Sequence, residues 1–315
     1  MIALIDYRPG RLRSLIFKSP YFAIFVSIVC ILVPTSAFSK EIHKEKSLYR
    51  NIIVKEQSGR RCLVFTLKRG DRNQTCMDLE NPRKLVFPYV RMTMGGLLVN
   101  SKPDRMLIIG LGGGSIPLTL GELFPNAHID IVEIDEAVIR VARKYFNFVE
   151  TSRVQVHVAD ARVYIKRAGL QQKHYDLIIL DAFTGDYIPE HLMTTEFLQE
   201  TKQLLTREGL LVANTFSTSE LYDHESVTYQ EVFGDFLNFR MPSTGNRVIL
   251  ASMQPLPSLF ALRSKAKRFS AAMDNYGVDI ESFPKYMSRK IDWDASKRAL
   301  TDQYNPANLL QGDSY

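Results

Sequence analysis

The sequence predicts an α/β chain: a mostly parallel sheet with helices on both faces and an antiparallel strand at one edge, preceded by a small β-module. Three observations carry that expectation. From Arg105 onward, short apolar runs alternate with amphipathic segments. A glycine-rich turn, Gly110-Leu111-Gly112-Gly113-Gly114-Ser115, directly follows the first apolar run. Acids then close successive runs, at Glu133, Asp160 and Asp181. The expected division is a leader over 1–39, a β-module with a connecting helix over 40–100, the α/β domain over 101–256 and a helical extension over 257–315.

The leader comes first. Residues 1–20 carry Arg8, Arg11, Arg13 and Lys18 against a single acid, Asp6. An apolar run of 13 residues, Tyr21 to Val33, is followed by Pro34-Thr35-Ser36-Ala37-Phe38-Ser39. A basic start, an apolar core and a small-residue end are the parts of a secretory signal peptide, with cleavage expected after Ala37 or Ser39. Extending the run to Phe38 makes an uncleaved anchor the alternative. The segment is therefore expected to engage membrane or export machinery. The protein is either exported or anchored, and the anchored form allows a domain facing the cytoplasm from an inner membrane.

Charge reads differently once the leader is set apart. The whole chain of 315 residues carries 40 Lys+Arg and 34 Asp+Glu, a net +6. The leader holds four of those bases and one acid, so +3 remains on the rest. That balance gives no reason to expect a nucleic-acid partner. With 45% hydrophobic and 23% charged residues, and a mean hydropathy of −0.11, the chain is neither disordered nor polytopic.

Residues 40–47 are polar and read as a flexible lead-in. Leu48 to Leu79 reads as short strands with turns at Ser58-Gly59 and Arg69-Asp71. A hairpin centred on Arg69 sets Cys62 opposite Cys76, at a distance that accepts a disulfide; two unpaired core thiols are the equal alternative. The third cysteine, Cys30, falls in the leader, and no CxxC pair or other pattern suggests a metal site. Pro82 to Leu98 has apolar residues at helical spacing and bridges to the next unit.

In the α/β region the expected strands are 106–109, 128–132, 154–158, 177–180 and 210–213, with helices near 135–146, 161–168, 192–206 and 222–233. Leu237–Arg240 and Arg247–Ala251 read as a final hairpin that brings the antiparallel strand to the edge. The extension reads as helical to about Lys290 and then irregular, with Trp293 and residues 300–306 packing back on the body.

Ligands of open α/β sheets bind beyond the carboxyl ends of the strands. Glycines there allow a tight turn and a close backbone approach, which selects Gly110, Gly112 and Gly114. An acid about 20 residues further on suits a ribose diol, and Glu133 holds that place. Asp160, with Ala161, and Asp181 end the next two strands at the same side of the sheet. Asp186, Tyr187, Glu190 and His191 follow on the loop after Asp181, where a lone histidine is more often a surface or capping residue than a catalyst.

These residues resemble the spermidine/spermine synthase family, in a divergent, membrane-linked branch, over Tyr49 to Ser252. The strand order is similar to that of class I methyltransferase-like Rossmann folds. The resemblance implies an adenosyl donor on Gly110–Gly114, Glu133 on its ribose, Asp160-Ala161 at its adenine and Asp181 as the catalytic acid. It also implies binding-site tyrosines at Tyr49 and Tyr89, with Asp186, Tyr187 and Tyr222 as weaker candidates on the amine side, and a homodimer. The chain departs from the family at Gly113, where the family carries an aspartate, and at Arg50 and Arg91, which place positive charge where a cationic amine would bind. An aminopropyltransferase using decarboxylated S-adenosylmethionine and a small amine such as putrescine is the leading expectation. A methyltransferase using S-adenosylmethionine itself, or an exported non-catalytic binding protein, are the alternatives.

Overall fold

The computed structural model describes residues 39–67, 70–183, 188–242 and 244–306. The predicted leader lies outside them except for Ser39, and among the described residues no helix is long and apolar enough to cross a membrane.

The first sheet is an antiparallel meander of β1 (Lys40–Lys46), β2 (Asn51–Gln57), β3 (Arg60–Leu67) and β4 (Gly70–Asp78), in that order. Its inner face, Ile52, Val54, Leu63, Phe65 and Met77, packs on Ala137, Val138, Val141 and Phe146 of the neighbouring α/β body. The expected lead-in at 40–47 is instead the edge strand β1. Its register sets Lys40 opposite Glu56 and Glu41 opposite Lys55, and backbone pairing with β2 holds a strand whose one apolar residue is Ile42. The β2–β3 turn uses Ser58 and Gly59, both at positive φ, as a two-residue hairpin turn requires. Cys62 faces Cys76 across β3 and β4 and the two form a disulfide, which settles the choice left open by the spacing.

Helix α1 (Pro88–Thr93) and a 3₁₀ segment, Met94–Leu98, lead into the second sheet. The strands are β5 (Arg105–Ile109), β6 (His128–Glu133), β7 (Val154–Val158), β8 (Tyr175–Leu180), β9 (Leu205–Phe216), β10 (Leu237–Arg240), β11 (Asn246–Ser252) and the two-residue β12 (Met287–Ser288). Their spatial order is β12-β10-β11-β9-β8-β5-β6-β7. Strands β5 to β9 are parallel. Antiparallel pairing occupies the other end, but the hairpin enters it in reverse: β11 sits beside β9, β10 lies outside it, and β12 forms the edge.

The helices are α2 (Ser115–Leu123), α3 (Glu136–Tyr145), α4 (Ala161–Leu170), α5 (Thr195–Gln203), α6 (Tyr222–Phe233) and α7 (Leu259–Asp274). They cover both faces, so β5 is buried from Met106 to Ile109. Met106 and Ile108 join the core on one side, and Leu107 and Ile109 the core on the other. The extension after α7 does pack back: Trp293 stacks on Phe236 with centroids 5.1 Å apart, and Leu300 is fully buried. Asp302 takes a bidentate contact from Arg162 of α4, at 2.7 Å on each oxygen.

Candidate active site

The chain leaves β5, builds β6 and β7 on one side, and then crosses to β8 and β9 on the other. The order therefore reverses between β5 and β8, and loops part there to leave a crevice. An open cavity of about 940 Å³ occupies it, lined by residues from both sheets. Gly110, Gly112, Glu133, Asp160, Ala161, Asp181, Tyr49 and Tyr89 all face it.

The glycine turn works as the spacing suggests. Gly110, Gly112 and Gly114 have φ of 99°, 54° and 81°. A Cβ on Gly110 would stand 2.3 Å from the carbonyl oxygen of Asp181, so only glycine allows the ends of β5 and β8 to meet this closely. Gly114 belongs to the turn but does not line the cavity; its Cβ position is filled by Phe148. Gly113 is closed as well, because a side chain there would run into Thr75 and Phe146.

Glu133 braces this turn. Its Oε2 accepts from the Leu111 N–H at 3.1 Å, and its Oε1 accepts from the Asp135 N–H at 3.0 Å. Burial raises its pKa against those two bonds and the nearby Arg50. Asp160 caps α4 by accepting from the Val163 N–H at 3.0 Å. Its second oxygen meets Nε2 of His191 at 2.9 Å. Burial would raise Asp160, but these hydrogen bonds outweigh it and hold its carboxyl below the usual range.

Asp181 follows β8. Burial pushes its pKa up to about 7, opposed by one hydrogen bond in which Nδ2 of Asn214 donates to its Oδ1 at 2.9 Å. Its Oδ2 makes no hydrogen bond among the described residues. Tyr89, on α1, donates to the carbonyl of Gln74 at 3.3 Å, and burial together with the Asp181 charge raises its pKa. At this side of the cavity stand a carboxyl poised near neutrality and aromatic walls from Tyr49, Phe65, Tyr89 and Phe183.

Arg50 is less repulsive than its position suggests. Its guanidinium lies 4.4 Å from the centre of the Phe65 ring, 3.7 Å from the Asp135 carboxylate, and donates to the Phe183 carbonyl at 3.3 Å. Arg91 does not line the cavity. Tyr222 stands apart too: its hydroxyl donates to Asp292 at 2.7 Å and accepts from Asn238, and Arg247 stacks on its ring. The start of α6 carries Tyr222 away from the crevice, so it is not an amine-binding residue of this cavity. Asp186 and Tyr187 lie outside the described residues.

His191, expected on the loop after Asp181 and read there as more often a surface or capping residue, lines the cavity and contacts Asp160. Two residues escaped the sequence reading: Gln74 reaches the cavity from β4, and Asn214 holds Asp181. Asn214 alone carried a signal, as a polar residue ending the apolar run Leu210–Ala213 at the ligand-binding end of its strand.

Residues 87–244 match the family described as "Spermine/spermidine synthase domain". The polyamine aminopropyltransferase of Vibrio vulnificus is 54% identical over 297 residues, which cover 93% of this chain and 99% of that protein. The structure of a probable spermidine synthase from Corynebacterium glutamicum superposes with a TM-score of 0.65 at 21% identity, over 84% of this chain and 97% of that one. Human methyltransferase-like protein 13 in complex with SAH gives 0.55 at 26% identity, over 60% and 93%.

Proposed function

The chain belongs to the spermine/spermidine synthase family, and from that premise we propose that it moves an aminopropyl group from decarboxylated S-adenosylmethionine to a small amine such as putrescine. It is a transferase. One observation carries the assignment of the chemistry: Asp181 lines the cavity at the switch point with its pKa pushed up to about 7, Oδ1 held by Asn214 and Oδ2 without a hydrogen bond among the described residues.

Glu133 takes the ribose diol, the Gly110–Gly114 turn brings backbone against the adenosyl chain, and Asp160-Ala161 receives the adenine edge. Tyr49 and Tyr89 flank the amine. The attacking nitrogen forms a bond to the carbon beside the sulfonium as the carbon–sulfur bond breaks. The electron pair stays on sulfur, and the proton lost by nitrogen passes to Asp181. The sulfonium is a good leaving group, so the protein mainly positions the pair and keeps the amine neutral.

Incubating the purified protein with donor and putrescine, and reading products by mass spectrometry, tests this. Product must form, and Asp181→Asn must lower its rate by about 10²-fold or more. Absence of product with a folded protein that binds the donor would sink the reading. Methyl transfer is the second reading, supported by the likeness to the SAH-bound methyltransferase and by the absence of a carboxylate at Gly113. Tighter binding of intact than of decarboxylated S-adenosylmethionine would favour it.

The leader is assigned the role of exporting or anchoring the chain. The Cys62–Cys76 disulfide supports an oxidising location, while a donor made in the cytosol supports an anchored domain facing inward. The intact mass of protein from fractionated cells distinguishes cleavage at 37 or 39 from retention of the leader. A homodimer rests on the family resemblance alone and is tested by light scattering.

A further inference from the structure

Asn214 meets Asp181 as the last member of a directed series of hydrogen bonds that begins in the β10–β11 turn. Oγ1 of Thr244 accepts from the backbone N–H of Asn246 at 3.1 Å, so its own proton goes to Oδ1 of Asn246, 2.8 Å away. With that oxygen committed, Nδ2 of Asn246 donates to Oδ1 of Asn214 at 3.1 Å. Asn214 is left with only its Nδ2 to offer, and this donates to Oδ1 of Asp181 at 2.9 Å. Asn214 is almost fully buried, whereas Thr244 and Asn246 are half-buried.

We propose that Asn246 and Thr244 are positioning residues: they fix the amide of Asn214 so that a donor, never an acceptor, faces Asp181, and they thereby assign Oδ2 as the oxygen that takes the proton of the amine. The inference rests on the reading of Asp181 as the proton acceptor. A side-chain amide can present either end to a carboxyl. Its N–H stabilises the ionised acid, whereas its oxygen stabilises the protonated one. Without Asn246, Asn214 is free to turn over, and the protonated acid gains a partner. The base is then lost near neutrality although no group that touches substrate has changed.

Other titratable groups face the same space. They are Tyr49 and Arg50 from the β1–β2 turn, Tyr89 from α1, Glu133 and Asp160 at the ends of β6 and β7, His191 before α5, and Glu225 and Tyr229 of α6 in the adjoining pocket. None of them hydrogen-bonds Asp181 among the described residues. His191 lines the same cavity and contacts Asp160, so every variant below retains it.

The test is kcat/KM against pH, from 5 to 10, for the full chain with decarboxylated S-adenosylmethionine and putrescine. In Asn246→Ala the acid limb is expected to move up by about one pH unit, which lowers kcat/KM at pH 7 about fivefold and leaves it within about twofold at pH 9. Thr244→Val is expected to shift it in the same direction by less, and Thr244→Ser to restore the wild-type limb. Loss by one constant factor at every pH, or an unmoved limb in Thr244→Val and Asn246→Ala alike, overturns the relay. If Asn246→Ala fails to fold, the Thr244 pair decides alone. Activity retained by Asp181→Asn would instead overturn the underlying reading, whatever the relay variants do.

Discussion

Nε2 of His191 stands 2.9 Å from Oδ2 of Asp160, joining the loop beyond β8 to the carboxylate that caps α4. One acid thus serves a helix end and a histidine at once, and its ionised form is favoured by both. Because its folded pKa is depressed, Asp160 contributes stability that is present above its unfolded value near 3.9 and is lost as pH falls through the folded one. His191→Gln should lessen that acid-side loss, while Asp160→Ala should remove it and cost about 1 kcal/mol of capping at pH 7. Thermal unfolding from pH 3 to 7 reads both, and an unchanged profile in Asp160→Ala contradicts the assignment.

Asp181 has the opposite sign. Burial raises its pKa to about 7, so its ionisation weakens the fold. That penalty is absent below about pH 4, grows as pH rises, and is complete above about 7. Asp181→Asn should therefore melt at the same temperature as wild type at pH 4 and higher at pH 8. The same change should lower kcat by about 10²–10⁴-fold. A variant both more stable and inactive is the signature of a destabilised functional acid.

Gly110 admits no side chain. A Cβ would lie 2.3 Å from a backbone oxygen of Asp181, in a residue already at positive φ, and no rotamer change relieves a clash with backbone. Gly110→Ala should destabilise by about 2 kcal/mol or more and weaken nucleoside binding. Gly112→Ala meets nothing closer than 3.9 Å, so it should cost only the strain of its positive φ. Urea midpoints for the two variants should differ in that order.

The disulfide closes a loop with a sequence separation of 14. Reducing it, or substituting Cys62→Ser with Cys76→Ser, should cost about 3 kcal/mol. Strand β4 carries Gln74 into the cavity, so donor affinity should fall with it. Thiol titration of the unfolded full chain should find one free thiol, Cys30, before reduction and three after.

Much of the α/β body is legible along the chain because each of its elements buries a local pattern. Strand β5 is apolar at every position from Met106 to Ile109, since both faces are covered, and α6 spans 222–233 as its pattern indicates. Strand β1 escapes because it is held by backbone pairing with β2, which leaves no periodic apolar signal. Tyr222 misleads for a related reason. An exposed-looking tyrosine after a strand suits a ligand site, yet Asp292, 70 residues later, claims its hydroxyl.

Local order in the chain was enough to specify the sheet, the glycine turn and the row of acids at one end of it, because strand periodicity and glycine conformations are short-range properties. Which acid is poised to take a proton was decided only by the fold. Glu133, Asp160 and Asp181 are equivalent as carboxyls in sequence, and their differences come from burial and from partners brought in from elsewhere: His191 for Asp160, and Asn214 for Asp181. A pKa is set by the solvent a group loses and the dipoles it gains, and both are properties of three-dimensional neighbours rather than of the residue itself.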